Sequence, residues 1–186
     1  AYEADVAAAA LDYFNENIGE YPYDTFFVVP FDAGGGMEYP GLVMICENDL
    51  RTRDLTGAAL VIGHEAAHQW FYAVVGSDQI NAPWLDEALC EYLGFAFLRS
   101  YAGEEKAGEM RMERFGSLAE YERKLRIDAP LYDFDPSDYF YVVYASGYQL
   151  YEALETKLGR AAFYEALRAY FSASGFRIAT ARELYQ

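Results

Sequence analysis

Histidine, cysteine and basic side chains are scarce in this 186-residue chain, which has two His, two Cys and 14 Lys plus Arg against 30 Asp plus Glu. The net charge of −16 argues against a nucleic-acid partner or an anionic membrane surface, because both repel an acidic protein. Cys46 and Cys90 cannot build a disulfide framework. Neither has a second Cys at the short spacing of a thiolate metal site, so they leave the redox compartment undefined. Long apolar runs are also absent: Gly57 to Gly63 is far shorter than the ~18–20 residues that cross a bilayer, and no basic-then-apolar leader opens the chain. No membrane span is expected in this segment, and nothing in it separates a cytoplasmic from a cell-envelope or extracellular location. What is present is 53% hydrophobic and 18% aromatic residues, the composition of an ordinary soluble globular unit of about one domain.

The apolar positions Val6, Ala9, Ala10, Tyr13 and Phe14 recur at helical spacing up to Gly19, so the chain opens inside a helix. At its other end Thr180-Ala181-Arg182-Glu183 has the form of a capping box that starts a helix with few residues left to follow. Both features lead us to expect that residues 1–186 form a single domain excised from a longer polypeptide. Between Pro22 and Pro40 the pattern is strand-like, with Phe26 to Val29 closed by Pro30, then Gly34-Gly35-Gly36 and a second run, Leu42 to Cys46. Helical patterns follow from about Asp54 to Gly76, Trp84 to Tyr101, Glu104 to Arg126, Ser137 to Leu158 and Arg160 to Ser172. The expected class is α+β, mostly helical with a small N-terminal β-sheet part.

Both histidines fall in one short segment, His64-Glu65-Ala66-Ala67-His68. On a helix, residues four apart share a face, so both imidazoles can meet one ion while Glu65 reaches a water held there. The spacing fits zinc. A tetrahedral zinc with an open position needs a third protein ligand, and in the absence of further His or well-placed Cys that ligand must be a carboxylate. Asp86, Glu87 and Glu91, near the start of the following helix, all qualify on physical grounds, and each could equally be a capping or solvated acid.

Eighteen residues separate His68 from Glu87, and the flanks read His68-Gln69-Trp70-Phe71 and Trp84-Leu85-Asp86-Glu87. This arrangement resembles the M1 family of zinc aminopeptidases, within the gluzincins. The resemblance implies a thermolysin-like zincin catalytic domain, one Zn2+ per chain held by His64, His68 and Glu87, and Glu65 as general base. Upstream, Gly35-Gly36-Met37-Glu38-Tyr39-Pro40 is similar to the family's exopeptidase motif, in which the Glu binds the substrate's free N-terminus. Glycines there let backbone approach an extended peptide, as on a strand edge, and Glu38 carries charge suited to an ammonium. Downstream, Tyr144-Ala145-Ser146-Gly147 resembles the segment whose Tyr stabilises the oxyanion, and only the register to Gly147 selects Tyr144 from eighteen tyrosines. Tyr39 stands where many members have Asn, and Ser146 where many have Lys.

These features imply hydrolysis of the first peptide bond of a peptide with a free N-terminus, assisted by further domains of the same polypeptide. Asp86 is adjacent to a ligand and is a candidate to orient one. A thermolysin-like zinc endopeptidase shares the zinc motif but has no use for Glu38. A non-catalytic interaction domain retaining the fold would have no need of the ligand set.

Overall fold

The computed structural model describes residues 2–32, 34–51, 55–117, 121 and 125–185. Helix α1 (Tyr2–Asn17) buries Val6, Ala10 and Phe14 along one stripe, as its periodicity predicts, and Ile18 and Gly19 close it by donating to the Phe14 carbonyl. Three strands follow, β1 (Phe27–Phe31), β2 (Gly36–Met37) and β3 (Leu42–Cys46), in the order β1-β3-β2. β3 pairs parallel with β1 and antiparallel with β2. Pro30 does not close the first strand; it lies inside it, paired with Ile45. A proline is tolerated there because β1 is an edge strand that needs no N–H on its outer side.

A five-residue helix α2 (Glu47–Arg51) leads to α3 (Leu55–Ala67), which carries His64 in its last turn and ends just before His68; the expected start at Asp54 lies outside the described residues. The helix does not run on to Gly76. After Ala67 the backbone bonds tighten, Gln69 to Ala66 and Trp70 to Ala67, then widen, Ala73 to His68 and Val75 to Trp70. Trp70, fully buried, explains the departure: its indole donates to the Gly19 carbonyl at 2.7 Å and draws the chain off the helix axis toward α1. Gly76 belongs instead to β4 (Val75–Gly76), parallel to β5 (Arg177–Ile178).

A 3-10 turn over Pro83–Leu85 precedes α4 (Glu87–Ala102), buried from Ala88 to Leu98. It packs along α3, and the crossing is close because Gly94 faces the His64 backbone, where an added Cβ would come within 3.1 Å of the His64 nitrogen. The predicted helix to Arg126 is shorter: α5 (Glu104–Phe115) ends at Gly116, whose helix propensity is about 1 kcal/mol below that of Ala. Arg126 lies in a turn, paired with Asp128. Residues 118–120 and 122–124 of that expectation fall outside the described set.

The Ser137 to Leu158 pattern is helical but not uniform. α6 (Pro136–Tyr139), capped by Asp135, passes into a π-helical stretch over Phe140–Ala145 and then α7 (Ser146–Leu158). Gly147 lets α7 sit against α4, since a Cβ there would lie 2.4 Å from that of Ala88. Beyond Gly159, α8 (Arg160–Ser174) packs on α7, and α9 (Ala181–Leu184) opens with the expected Thr180/Glu183 capping box. Among the described residues no helix is long and apolar enough to cross a membrane. The result is the expected mostly helical α+β fold, its core running between α1, α3, α4 and α7.

Candidate metal centre

His64, in the last turn of α3, and His68, the first residue beyond it, turn their Nε2 atoms to within 3.1 Å of each other. The first residue of α4 completes a triangle: Glu87 Oε2 is 3.3 Å from His64 Nε2 and 3.6 Å from His68 Nε2. Ligand bonds of ~2.0–2.1 Å in a tetrahedron require donor atoms ~3.3–3.4 Å apart. The three separations bracket that edge length, and two imidazoles with one carboxylate are a zinc-type donor set, so these residues fit the ion. His64, His68 and Glu87 are the one group among the described residues whose donor atoms converge in this way.

The two acids that competed with Glu87 take other places. Asp86 is the N-cap of α4: its Oδ1 accepts from the Glu87 backbone N–H at 2.7 Å and its Oδ2 from the Ser77 hydroxyl at 2.9 Å. It therefore fixes, through the backbone, where Glu87 begins the helix. Glu91, one turn further on, stands on the opposite side of the His64 ring, with Oε2 3.0 Å from Nδ1. On His68 the corresponding nitrogen, Nδ1, faces the Phe71 carbonyl at 3.3 Å. His68 Nδ1 is thus held by the Phe71 carbonyl, whereas Glu91 lies against His64 Nδ1 at ion-pair distance without hydrogen-bond geometry; in both rings Nε2 is the nitrogen turned toward the triangle.

Burial alone would depress His64, but hydrogen bonds to Glu87 and Glu91 outweigh it and carry the imidazole up to about 9. Burial would raise Glu87, and the two histidines reverse this and hold its carboxyl far below the usual range. Glu65 goes the other way: burial dominates the attraction of the histidines and pushes it up to about 7. Its Oε2 is buried and has no hydrogen-bond partner among the described residues. The other oxygen lies against β2, where a Cβ at position 36 would be 2.0 Å from it. Gly36 therefore makes room for Glu65.

These groups line one cavity of about 350 Å³, together with Gly35, Glu38, Arg114 and Tyr144. The alternation of an extended chain places Gly36 and Glu38 toward the cavity and leaves Met37 exposed on the other face, off the wall. Glu38 Oε1 accepts from Gln79 Nε2 at 3.2 Å, a partner with no sequence signal. Tyr144, set by the π-helical stretch, stacks on His64 with centroids 5.9 Å apart and 28° between planes. Burial and the neighbouring Glu87 carboxylate raise its phenol well above the ordinary value, so it stays a hydrogen-bond donor. Sequence reasoning also missed Arg114, 23 positions from Glu91, whose Nε donates to Glu91 Oε1 at 2.5 Å.

Two histidines one turn apart, a carboxylate from the next helix and a buried glutamate beside them make up the arrangement of a mononuclear zinc hydrolase. A family model described as the peptidase family M1 domain matches residues 2–186, and the chain belongs to that family. It is 28% identical to an aminopeptidase N of Streptomyces lividans over 92% of its own length and 22% of that protein's. It is 26% identical to aminopeptidase 2, mitochondrial, of Saccharomyces cerevisiae over 99% of its length and 21% of the relative's. Among solved structures it is similar to yeast LTA4 hydrolase in complex with bestatin, with a TM-score of 0.81 and 26% identity over 99% of this chain and 32% of that one. An M1 zinc metallopeptidase from Deinococcus radiodurans shares the fold at a TM-score of 0.76. The chain thus spans about a fifth of the length of these curated relatives and a third of the yeast structure.

Proposed function

We propose that residues 1–186 form the catalytic domain of a longer zinc aminopeptidase, which removes the N-terminal residue from peptides with a free N-terminus. The observation that carries this reading is the meeting of the His64, His68, Glu87 triangle with Glu65 and Glu38 in one cavity beside the open edge of β2. When bound by the triangle, Zn2+ supplies carbonyl polarisation and lowers the pKa of a water toward ~7. Glu65, held near 7 by burial, accepts the proton of the attacking water and delivers it to the leaving amine nitrogen. The Tyr144 hydroxyl donates to the carbonyl oxygen as negative charge gathers there. Glu38, its Oε1 held by Gln79, accepts from the substrate's α-ammonium, so only the first peptide bond reaches Glu65. Gly36 on the edge strand offers its backbone groups to the extended peptide, while the Gly35 carbonyl before it is taken by the Cys46 N–H.

Two measurements test the reading. Elemental analysis should find about one zinc per chain, strongly reduced by Glu87→Ala. Peptides with free N-termini should be cleaved from that end, and N-acetylated copies should resist. Equal cleavage of both would favour an endopeptidase, and a zinc-free parent would leave the fold with a non-catalytic role. Glu38 weighs against the first alternative, and the complete donor set against the second.

A further inference from the structure

Arg114 sits near the end of α5, away from both helices that bear the triangle, yet it reaches the cavity wall. Its Nε donates to Glu91 Oε1 at 2.5 Å and its Nη2 to Glu91 Oε2 at 3.3 Å, a two-point grip that fixes the carboxylate plane as well as its position. Glu91 is 1% exposed, and its Oε2 is the oxygen that faces His64 Nδ1 at 3.0 Å. The guanidinium is itself held between aromatic rings, 5.8 Å from the Phe115 centroid and 5.5 Å from that of Phe140. Phe140 stacks on Tyr144, and Tyr144 on His64. Arg114 therefore touches His64 by two routes, one polar through Glu91 and one through the aromatic stack.

We infer that Arg114 is a positioning residue for the metal centre: by clamping Glu91 it fixes the plane of the His64 ring, so that Nε2 faces the triangle. The inference rests on the proposed zinc site. A carboxylate held in one plane attracts Nδ1 from one direction and so limits rotation of the ring. A carboxylate anchored at neither oxygen can rotate, and the ring can rotate with it. Lys in place of Arg restores charge at one point but not the fork.

The test is zinc affinity of the purified full-length protein, read by competition with a chromophoric chelator, together with the visible absorption of the cobalt-substituted form. Outer partners of metal-bound histidines are worth ~10–100-fold in affinity. Arg114→Ala should lose about that much, and Arg114→Lys a smaller part of it, with a shifted or broadened cobalt band. In a Glu91→Ala background Arg114→Ala should lose little more, because the polar route, the one that fixes the ring plane, is already cut. Circular dichroism of each variant establishes that it is folded, and Arg114→Lys serves if Arg114→Ala is not. Unchanged affinity and cobalt spectrum in a folded Arg114 variant would overturn the inference, as would an equal loss with and without Glu91. Absence of zinc from the parent, unaltered by Glu87→Ala, would instead remove the zinc site itself and the inference with it.

Discussion

Two hollows in this molecule are built on opposite terms. The cavity at the α3/α4 crossing, about 350 Å³, gathers Glu38, Glu65, Glu87 and Glu91 around two histidines. The cleft formed by α7, α8 and α9, about 230 Å³, is walled by Trp84, Leu150, Leu154, Leu158, Tyr170 and Tyr185. Burying a carboxylate is costly unless it is paired, so the first hollow needs the second layer of Arg114, Gln79, Ser77 and the Phe71 carbonyl. The second has no such layer: its leucines gain by every partial burial, and the one buried polar atom of its lining without a partner among the described residues is the Tyr151 hydroxyl. The contrast teaches where substitutions should register: in chemistry and metal binding at the cavity, and hardly at all along the exposed rim of the cleft.

The largest effect separates activity from stability within the cavity. Glu65→Gln keeps shape and volume but removes the proton acceptor, and peptide hydrolysis should fall ~10²–10⁴-fold. Because Glu65 is a buried acid with an oxygen that has no partner among the described residues, its loss should leave the thermal midpoint equal or higher, with zinc retained. A comparable loss of stability in a calorimetric scan would show that Glu65 holds the fold together, and the contrast between the hollows would weaken.

Next in size is a pH effect peculiar to the cavity. His64 is carried up to about 9 from its ordinary 6.5 by Glu87 and Glu91 against burial. A raised folded value contributes stability that is full below the unfolded value and is lost as pH rises through the folded one. Glu65, raised from 4.5 to about 7 chiefly by burial, acts in the same direction between those values. Protein stripped of metal by a chelator should therefore unfold more easily at pH 9.5 than at pH 6.5, by on the order of 3 kcal/mol from His64. Denaturant midpoints at the two pH values check this, and saturating zinc should largely abolish the difference, because the metal replaces the protons. A stripped protein with a flat profile would mean that the histidines meet no carboxylates.

The sequence spoke clearly where the physics is local. His64 and His68 share a helix face by spacing alone, and the Thr180 capping box lies within four residues. Glu87 could be separated from Asp86 and Glu91 only by resemblance, because the choice depends on how closely α4 crosses α3. That distance is set by Gly94 against the His64 backbone, a contact between residues thirty apart with no periodic trace. The clamp of Arg114 on Glu91 and the fit of Gly36 to Glu65 are long-range in the same sense. Trp70 misled for a related reason: it continues an apolar helical pattern, but its indole hydrogen bond to Gly19 is a tertiary choice that ends the helix.

The smallest effect belongs to the cleft. Leu158, the last residue of α7, is 51% exposed. Leu158→Lys gives up part of an apolar contact, but it sets a cation at a helix C-terminus, where the dipole favours it by ~0.3–1 kcal/mol. These terms nearly cancel, so the urea midpoint of the isolated chain should correspond to a change within about 0.5 kcal/mol, the usual range for surface positions. The same substitution in the longer protein sharpens the comparison. If the cleft faces water there too, the two changes agree. A loss above ~2 kcal/mol confined to the longer protein would mean that an apolar segment covers Leu158, because a lysine forced into such a contact must lose its hydration. The cleft would then be an interior surface, no more tolerant of charge than the cavity.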